Sequence, residues 1–183
     1  TGKIEGLILK KWYVLNEPFE DKKLIGYGID FGFTNDPSTL IEVRMQDGEL
    51  WIKELIYETG LTNQDLSHRM EILEVSRGAL IVADSSEPKS IEELRRLRWT
   101  VDGVKKGKDS IMFGINLLKG YTINVHASST NLIKELEQYK WKVDRNGDSL
   151  NVPIDNYNHA IDALRYIIMH KFSKKGYGQY KVI

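Results

Sequence analysis

The sequence predicts an α/β domain built on a mixed sheet: three antiparallel strands, then parallel strands, with helices on both faces and an accessory β-hairpin. Three observations carry this. The runs 24–31, 38–46 and 49–58 follow one another at strand length, and Asp47-Gly48, a two-residue hairpin signal, joins the last two. From residue 62 the hydrophobic period changes, and helical stretches alternate with short apolar strands. A second turn signal, Asn146-Gly147, sits in the middle of 139–152.

Taken in order, residues 1–23 read as a lead-in segment, with Trp12-Tyr13-Val14-Leu15 packing back on the domain. Residues 24–172 form the domain and 173–183 a polar tail. The three strands make a meander. Thr62 and Asp65 have the spacing of a capping box, ahead of Leu66, Met70 and Leu73 at helical intervals. Residues 79–83 return to strand, and Pro88 opens a helix with Ile91, Leu94 and Leu97 on one stripe. A short strand near 99–104 leads to a helix bearing Ile111, Ile115 and Leu118. Tyr121–Val125 is a further strand, and Ser128 is placed to cap a helix carrying Leu132, Ile133 and Leu136. The second hairpin follows, and the last helix runs from about 156 to 172.

With 183 residues, 41% of them hydrophobic, the chain has enough apolar material for one real core. Lys+Arg and Asp+Glu balance at 26 each, so any basic binding surface must be a local patch. The absence of cysteine excludes disulfides, zinc–thiolate sites and thiol catalysis, and fits a reducing cytosol. No apolar run approaches a membrane span, so no membrane partner is expected. The chain opens on Thr1 and mixed polar residues, which reads as a piece of a longer protein.

Three aspartates stand out. Asp30 and Asp84 end apolar strands, and Asp162 lies in the final helix, three residues after His159 and a turn before Tyr166. Helical spacing puts these three residues of the final helix on one face, with Ile161, Leu164 and Ile168 on another that packs on the sheet. Ligands gather beyond the carboxyl ends of strands in such sheets. Two carboxylates about 4 Å apart repel by on the order of 4 kcal/mol at an effective dielectric near ~20. A divalent cation removes that penalty, and hard oxygen donors suit Mg²⁺ or Mn²⁺. His159 tilts the preference towards Mn²⁺. Two ions can activate water and stabilise the leaving oxygen of a phosphodiester. An aspartate after an apolar strand also serves as a helix cap or turn former.

Four segments occur in order: Gly28–Phe33 with Asp36-Pro37, Ala83-Asp84 with Glu87-Pro88, Lys106–Ile111 with Gly114-Ile115, and Asn158–Tyr166. Over roughly residues 10–172 this set resembles the C-terminal nuclease domain of the large terminase subunit of tailed double-stranded DNA bacteriophages. The resemblance implies an RNase H-like fold and a metal-dependent, largely sequence-nonspecific endonuclease that cuts concatemeric viral DNA. It places the metal ligands on Asp30, Asp84 and Asp162, with Asp30 bridging two ions. His159 falls on a position that is histidine in some members, as ligand or proton-transfer group. It also implies an N-terminal ATPase domain in the full-length protein, double-stranded DNA, the small terminase subunit and the portal as partners, and the host bacterial cytoplasm as location. Without the ATPase half, the chain is expected to cut DNA but not pump it.

Other motifs are weaker. Asp30-Phe31-Gly32 copies a kinase tripeptide with no catalytic loop to match. Gly103–Ser110 misses a Walker A loop by one residue between glycines, with Asp109 between Lys108 and Ser110. Lys105, Lys106 and Lys108 precede a helix start at Asp109-Ser110, where backbone N–H groups face outward. Contact with the DNA backbone is the functional reading for these lysines and Ser110, and a solvated basic face is the plain one. The 139–152 hairpin carries Arg145 into the helix of His159 and Asp162; it gates the cleft or tracks DNA, or is only an extended connection. Two rivals stay open: another RNase H-like nuclease such as a Holliday-junction resolvase, and a catalytically silent module that docks DNA or portal.

Overall fold

The computed structural model describes residues 6–104, 107 and 109–173. Its strands are β1 (Trp12–Leu15), β2 (Lys23–Asp30), β3 (Ser38–Gln46), β4 (Glu49–Glu58), β5 (Ile81–Asp84), β6 (Val101–Val104) and β7 (Ile123–His126), with a separate hairpin of β8 (Trp141–Val143) and β9 (Ser149–Pro153). The helices are α1 (Asn63–Ile72), α2 (Pro88–Arg96), α3 (Ser110–Lys119), α4 (Thr130–Gln138) and α5 (His159–Phe172).

The first seven strands form one sheet in the order β1-β7-β4-β3-β2-β5-β6. The expected meander is present: β2, β3 and β4 are antiparallel neighbours. At the β3–β4 turn Asp47 (φ 53°) and Gly48 (φ 77°) both take the left-handed backbone that a tight hairpin demands. Outside this meander the pairing is parallel, β5 and β6 on one flank, β7 and β1 on the other. The lead-in is thus part of the sheet, since β1 is its edge strand. Nothing in its short, charge-flanked run signals a partner more than a hundred residues away in sequence.

Alternation along the strands sorts the core into two layers. Ile41, Val43, Ile52 and Val82 face α3, α4 and α5, whereas Leu40, Ile56, Ile81 and Ala83 face α1 and α2. Helices therefore cover both faces, as expected. The capping box at Thr62 and Asp65 is formed, and Pro88 is the first residue of α2.

Three local expectations change. Ile111, expected on the buried stripe of α3, is exposed, and Gly114, Ile115 and Leu118 form that stripe instead. Ser128 does not cap α4; its hydroxyl bonds His126 Nδ1 at 2.7 Å. The α4 N-terminus is closed by the Glu54 carboxylate, which accepts Leu132 N–H at 2.7 Å and the Asn131 amide at 2.8 Å. Finally, α5 is no surface helix with one apolar face. Ala160, Ile161 and every residue from Ala163 to Met169 are buried, because α5 is laid across the sheet and walled in by its neighbours. Its closest approach is at Gly28, where any Cβ would fall on the Ala163 carbonyl.

Candidate active site

The carboxyl ends of β2 and β5 lie side by side. The two strands are parallel, with Tyr27 opposite Ile81 and Gly28 opposite Val82, and two further residues along that pairing stand Asp30 and Asp84. The N-terminal turn of α5 comes down beside them. Thr39, opposite Asp30 on β3, donates its hydroxyl to the His159 carbonyl at 3.2 Å, tying α5 to the sheet.

Each aspartate is held differently. Asp30 Oδ2 is 3.3 Å from His159 Nδ1, and its Oδ1 accepts the Tyr166 hydroxyl at 3.4 Å. Asp84 is buried and its Oδ1 accepts Ser86 N–H at 3.0 Å, an Asx turn that swings the chain towards α2. The plain turn-forming role is therefore real for Asp84. Asp162 Oδ1 accepts Arg165 Nη2 at 2.9 Å. Tyr166 reports how these charges converge. Its phenol is pushed up first by burial, then by the negative charges of Asp30, Asp162 and Asp84, with Arg165 opposing them. Of the three aspartates, Asp30 is the one in hydrogen-bond contact with this hydroxyl.

Two further acids belong to this end of the molecule. Asp36 Oδ1 lies 3.6 Å from His159 Nε2, so the imidazole stands between two carboxylates. Glu135, almost fully buried on α4, accepts Ala160 N–H at 3.2 Å, Ile161 N–H at 3.0 Å and the Tyr57 hydroxyl at 3.0 Å. The residue before α5, Asn158, makes no side-chain cap. Glu135 supplies that cap from another helix, and its negative charge suits the positive end of the helix dipole. Burial pushes the Glu135 carboxyl up, against these hydrogen bonds. Its signal in the sequence was a charge beside Leu132 and Leu136, on a stripe that should be apolar.

The hydrogen bond to Asp30 raises the His159 pKa above its ordinary 6.5, and partial burial opposes the shift. The charged pair therefore contributes stability fully below about 6.5, and that contribution fades as the pH rises through the elevated value. By NMR in metal-free buffer, the His159 ring should titrate above free histidine, and Asp30→Asn should bring its midpoint down. A midpoint indifferent to Asp30 would remove this carboxylate as the cause.

Of the expected DNA contacts, Ser110 is the first residue of α3 and Arg145 is exposed in the β8–β9 turn. Lys105, Lys106 and Lys108 lie outside the described residues. Val104, paired with Asp84 across β5 and β6, is the last described residue before them. Nearby arginines are engaged locally: Arg95 with Val101 O and Asp102, Arg96 with Glu92.

The donor set, carboxylate oxygens with one imidazole, suits a hard divalent ion. Among the described residues no group of three or more His, Asp or Glu side chains is arranged to hold a metal ion. Mg²⁺ suits such a site, because it commonly takes one or two carboxylates and completes its shell with water and substrate phosphate.

A mixed sheet with strand-end aspartates and a helix-borne third is the architecture of the RNase H-like fold. A model of the terminase RNase H-like domain matches residues 30–170, and the chain belongs to that family. The large terminase subunit of Bacillus phage SPP1 is 29% identical over 165 residues, 83% of this chain and 37% of that protein. The chain thus spans little more than a third of that relative's length. Among solved structures, the nuclease domain of the SPP1 large terminase g2p, with bound Mn, shares the fold at TM-score 0.77 and 24% identity, covering 89% of this chain and 98% of that one. The nuclease of the large terminase from thermophilic phage G20c, with bound magnesium, aligns at TM-score 0.57 and 18% identity over 84% of each chain. No helix among the described residues is long and apolar enough to cross a membrane.

Proposed function

We propose that this chain is a divalent-metal-dependent DNA endonuclease, the domain of a phage large terminase that cuts concatemeric double-stranded DNA during packaging. The observation that carries the reading is that Asp30 and Asp84 end the parallel neighbours β2 and β5 beside the α5 turn bearing His159 and Asp162, in a chain of the terminase family. The ions seen in two related nuclease domains support the metal requirement. Asp30, Asp84 and Asp162 would hold Mg²⁺ or Mn²⁺, which would supply an activated water and neutralise charge on the departing oxygen. The chain's own residues prepare the site. Tyr166 and His159 fix the two oxygens of Asp30, and the His159 imidazole is placed to pass a proton. DNA phosphate would add oxygen donors to those of the aspartates.

The phosphate backbone is taken by Lys105, Lys106, Lys108, Ser110 and Arg145, so affinity should be modest and fall with salt. The whole machine would add an N-terminal ATPase domain, the small subunit and the portal as partners.

The test is cleavage of supercoiled plasmid with Mn²⁺, then Mg²⁺, then EDTA, beside linear duplex and a four-way junction. Nicking and linearisation with either metal and none with EDTA is the expected result. Preference for the junction would make the chain a resolvase; DNA binding with no cleavage under any metal would make it a docking module.

The β8–β9 hairpin controls access to the cleft in this reading. Its turn is built on Asp144, whose Oδ1 accepts the N–H groups of Asn146 at 2.8 Å and Asp148 at 2.9 Å. The strands leave Val143, Leu150 and Val152 exposed. Shortening 144–149 should change the cleavage rate while calorimetry finds Mn²⁺ affinity unaltered. An unchanged rate removes the gate.

A further inference from the structure

We propose that Arg165 is a positioning residue of the acidic site: a permanent buried cation that fixes one oxygen of Asp162 and holds the aspartates together before any metal ion arrives. The inference rests on the reading of Asp30, Asp84 and Asp162 as metal ligands.

The placement is unusual for an arginine. Only 1% of its side chain is exposed, in the middle of the otherwise apolar run of α5. Nη2 donates to Asp162 Oδ1 at 2.9 Å, Nη1 lies 3.7 Å from Met169 Sδ, and the guanidinium stands 5.1 Å from the centre of the Tyr166 ring. Its Nε is buried without an acceptor among the described residues. Room for the stem is made by α3: a Cβ at Gly114 would collide with Arg165 Cγ and Cδ. A buried ion pair seldom stabilises a fold more than an apolar pair of the same size. A guanidinium enclosed this completely, with one donor unmatched, therefore calls for a role beyond packing.

The charges supply that role. Arg165 Nη2 bonds Asp162, and the guanidinium stands beside the ring of Tyr166, whose hydroxyl donates to Asp30. An arginine stays charged at any working pH, so it offsets the mutual repulsion of the carboxylates when no ion is bound. It also takes Asp162 Oδ1, which leaves that side chain one oxygen to offer a metal. Asp162 is thus also the counter-ion of a cation that cannot reach water.

Melting temperatures in EDTA and in saturating Mn²⁺ test this. In EDTA, Asp162→Asn should lower the melting temperature by roughly 5 °C or more. Asp30→Asn and Asp84→Asn should stay within a few degrees of wild type or rise. Arg165→Met should also melt early, Arg165→Lys should recover part of the loss, and Mn²⁺ should raise Arg165→Met by more than it raises wild type, because the ion then supplies the missing positive charge. The proposal is overturned if the three aspartate variants melt alike, or if Arg165→Met gains no more from Mn²⁺ than wild type does. Should Arg165→Met fail to fold, the aspartate comparison and Arg165→Lys decide. A wild type indifferent to Mn²⁺ would sink the metal reading, and the aspartate comparison in EDTA would still decide whether Asp162 carries Arg165.

Discussion

Asp30→Asn should abolish DNA cleavage and leave the folded domain intact. Asparagine keeps the shape of the side chain, so Tyr166 retains an acceptor, but the charge is lost where it matters most. Asp30 is the carboxylate in hydrogen-bond contact with both His159 and Tyr166, and it is proposed as a metal ligand. Removing one preorganised electrostatic group from an active site costs about 10²–10³-fold in rate. Asp30 is also the partner of both His159 and Tyr166, so the loss should sit at or beyond the top of that range. Stability should move little, because two terms oppose each other. Repulsion from Asp84 and Asp162 is relieved, while the His159 pair, partly open to solvent, is worth at most about 1 kcal/mol. The check is plasmid nicking in Mn²⁺ beside a melting curve of the same sample. A folded Asp30→Asn domain that cuts at the wild-type rate would place the chemistry elsewhere.

That prediction rests on residues legible in the sequence, and the reason is physical. Period-two runs ending in aspartate, with Asp47-Gly48 fixing the register of the meander, leave little freedom over where Asp30 stands. The strand order was not legible, because β1 pairs with β7 and β7 with β4 across long separations that no local pattern encodes. The surroundings of the acids were legible only in part. Asp36 reaches His159 through a loop held by Ser38, whose hydroxyl accepts Gly32 N–H at 3.2 Å and donates to Gly32 O at 2.9 Å, a path that periodicity does not describe. For α5, reading one apolar face assumed a helix with one side in water. Arg165 within that run was the available sign that the helix is enclosed and its polar groups are matched from within.

Glu135→Ala should be the most damaging single change outside the aspartates, lowering stability and cleavage together. The buried N–H groups of Ala160 and Ile161 have the Glu135 carboxylate as acceptor, and the Tyr57 hydroxyl donates to it as well. Alanine strands both N–H groups where water cannot readily replace the lost partner, at about 1–3 kcal/mol each, and it leaves a cavity. Burial raises the Glu135 carboxyl, so its ionised form carries a desolvation cost that alanine would remove. That gain is smaller than the loss, since the carboxylate is matched by three donors and the backbone groups left behind have none. The net should be about 3–5 kcal/mol, a large share of the 5–15 kcal/mol typical of a domain, and at about 2–4 °C per kcal/mol for this size the melting temperature should fall by roughly 10 °C. Glu135→Gln, which keeps one carbonyl oxygen, should lose less. Cleavage falls with stability because His159 and Asp162 flank the two N–H groups that Glu135 holds, so fraying that turn moves both. The decisive comparison is made well below the melting point, where all variants are folded. If Glu135→Ala there cuts as fast as wild type, Glu135 holds the fold but does not set the site.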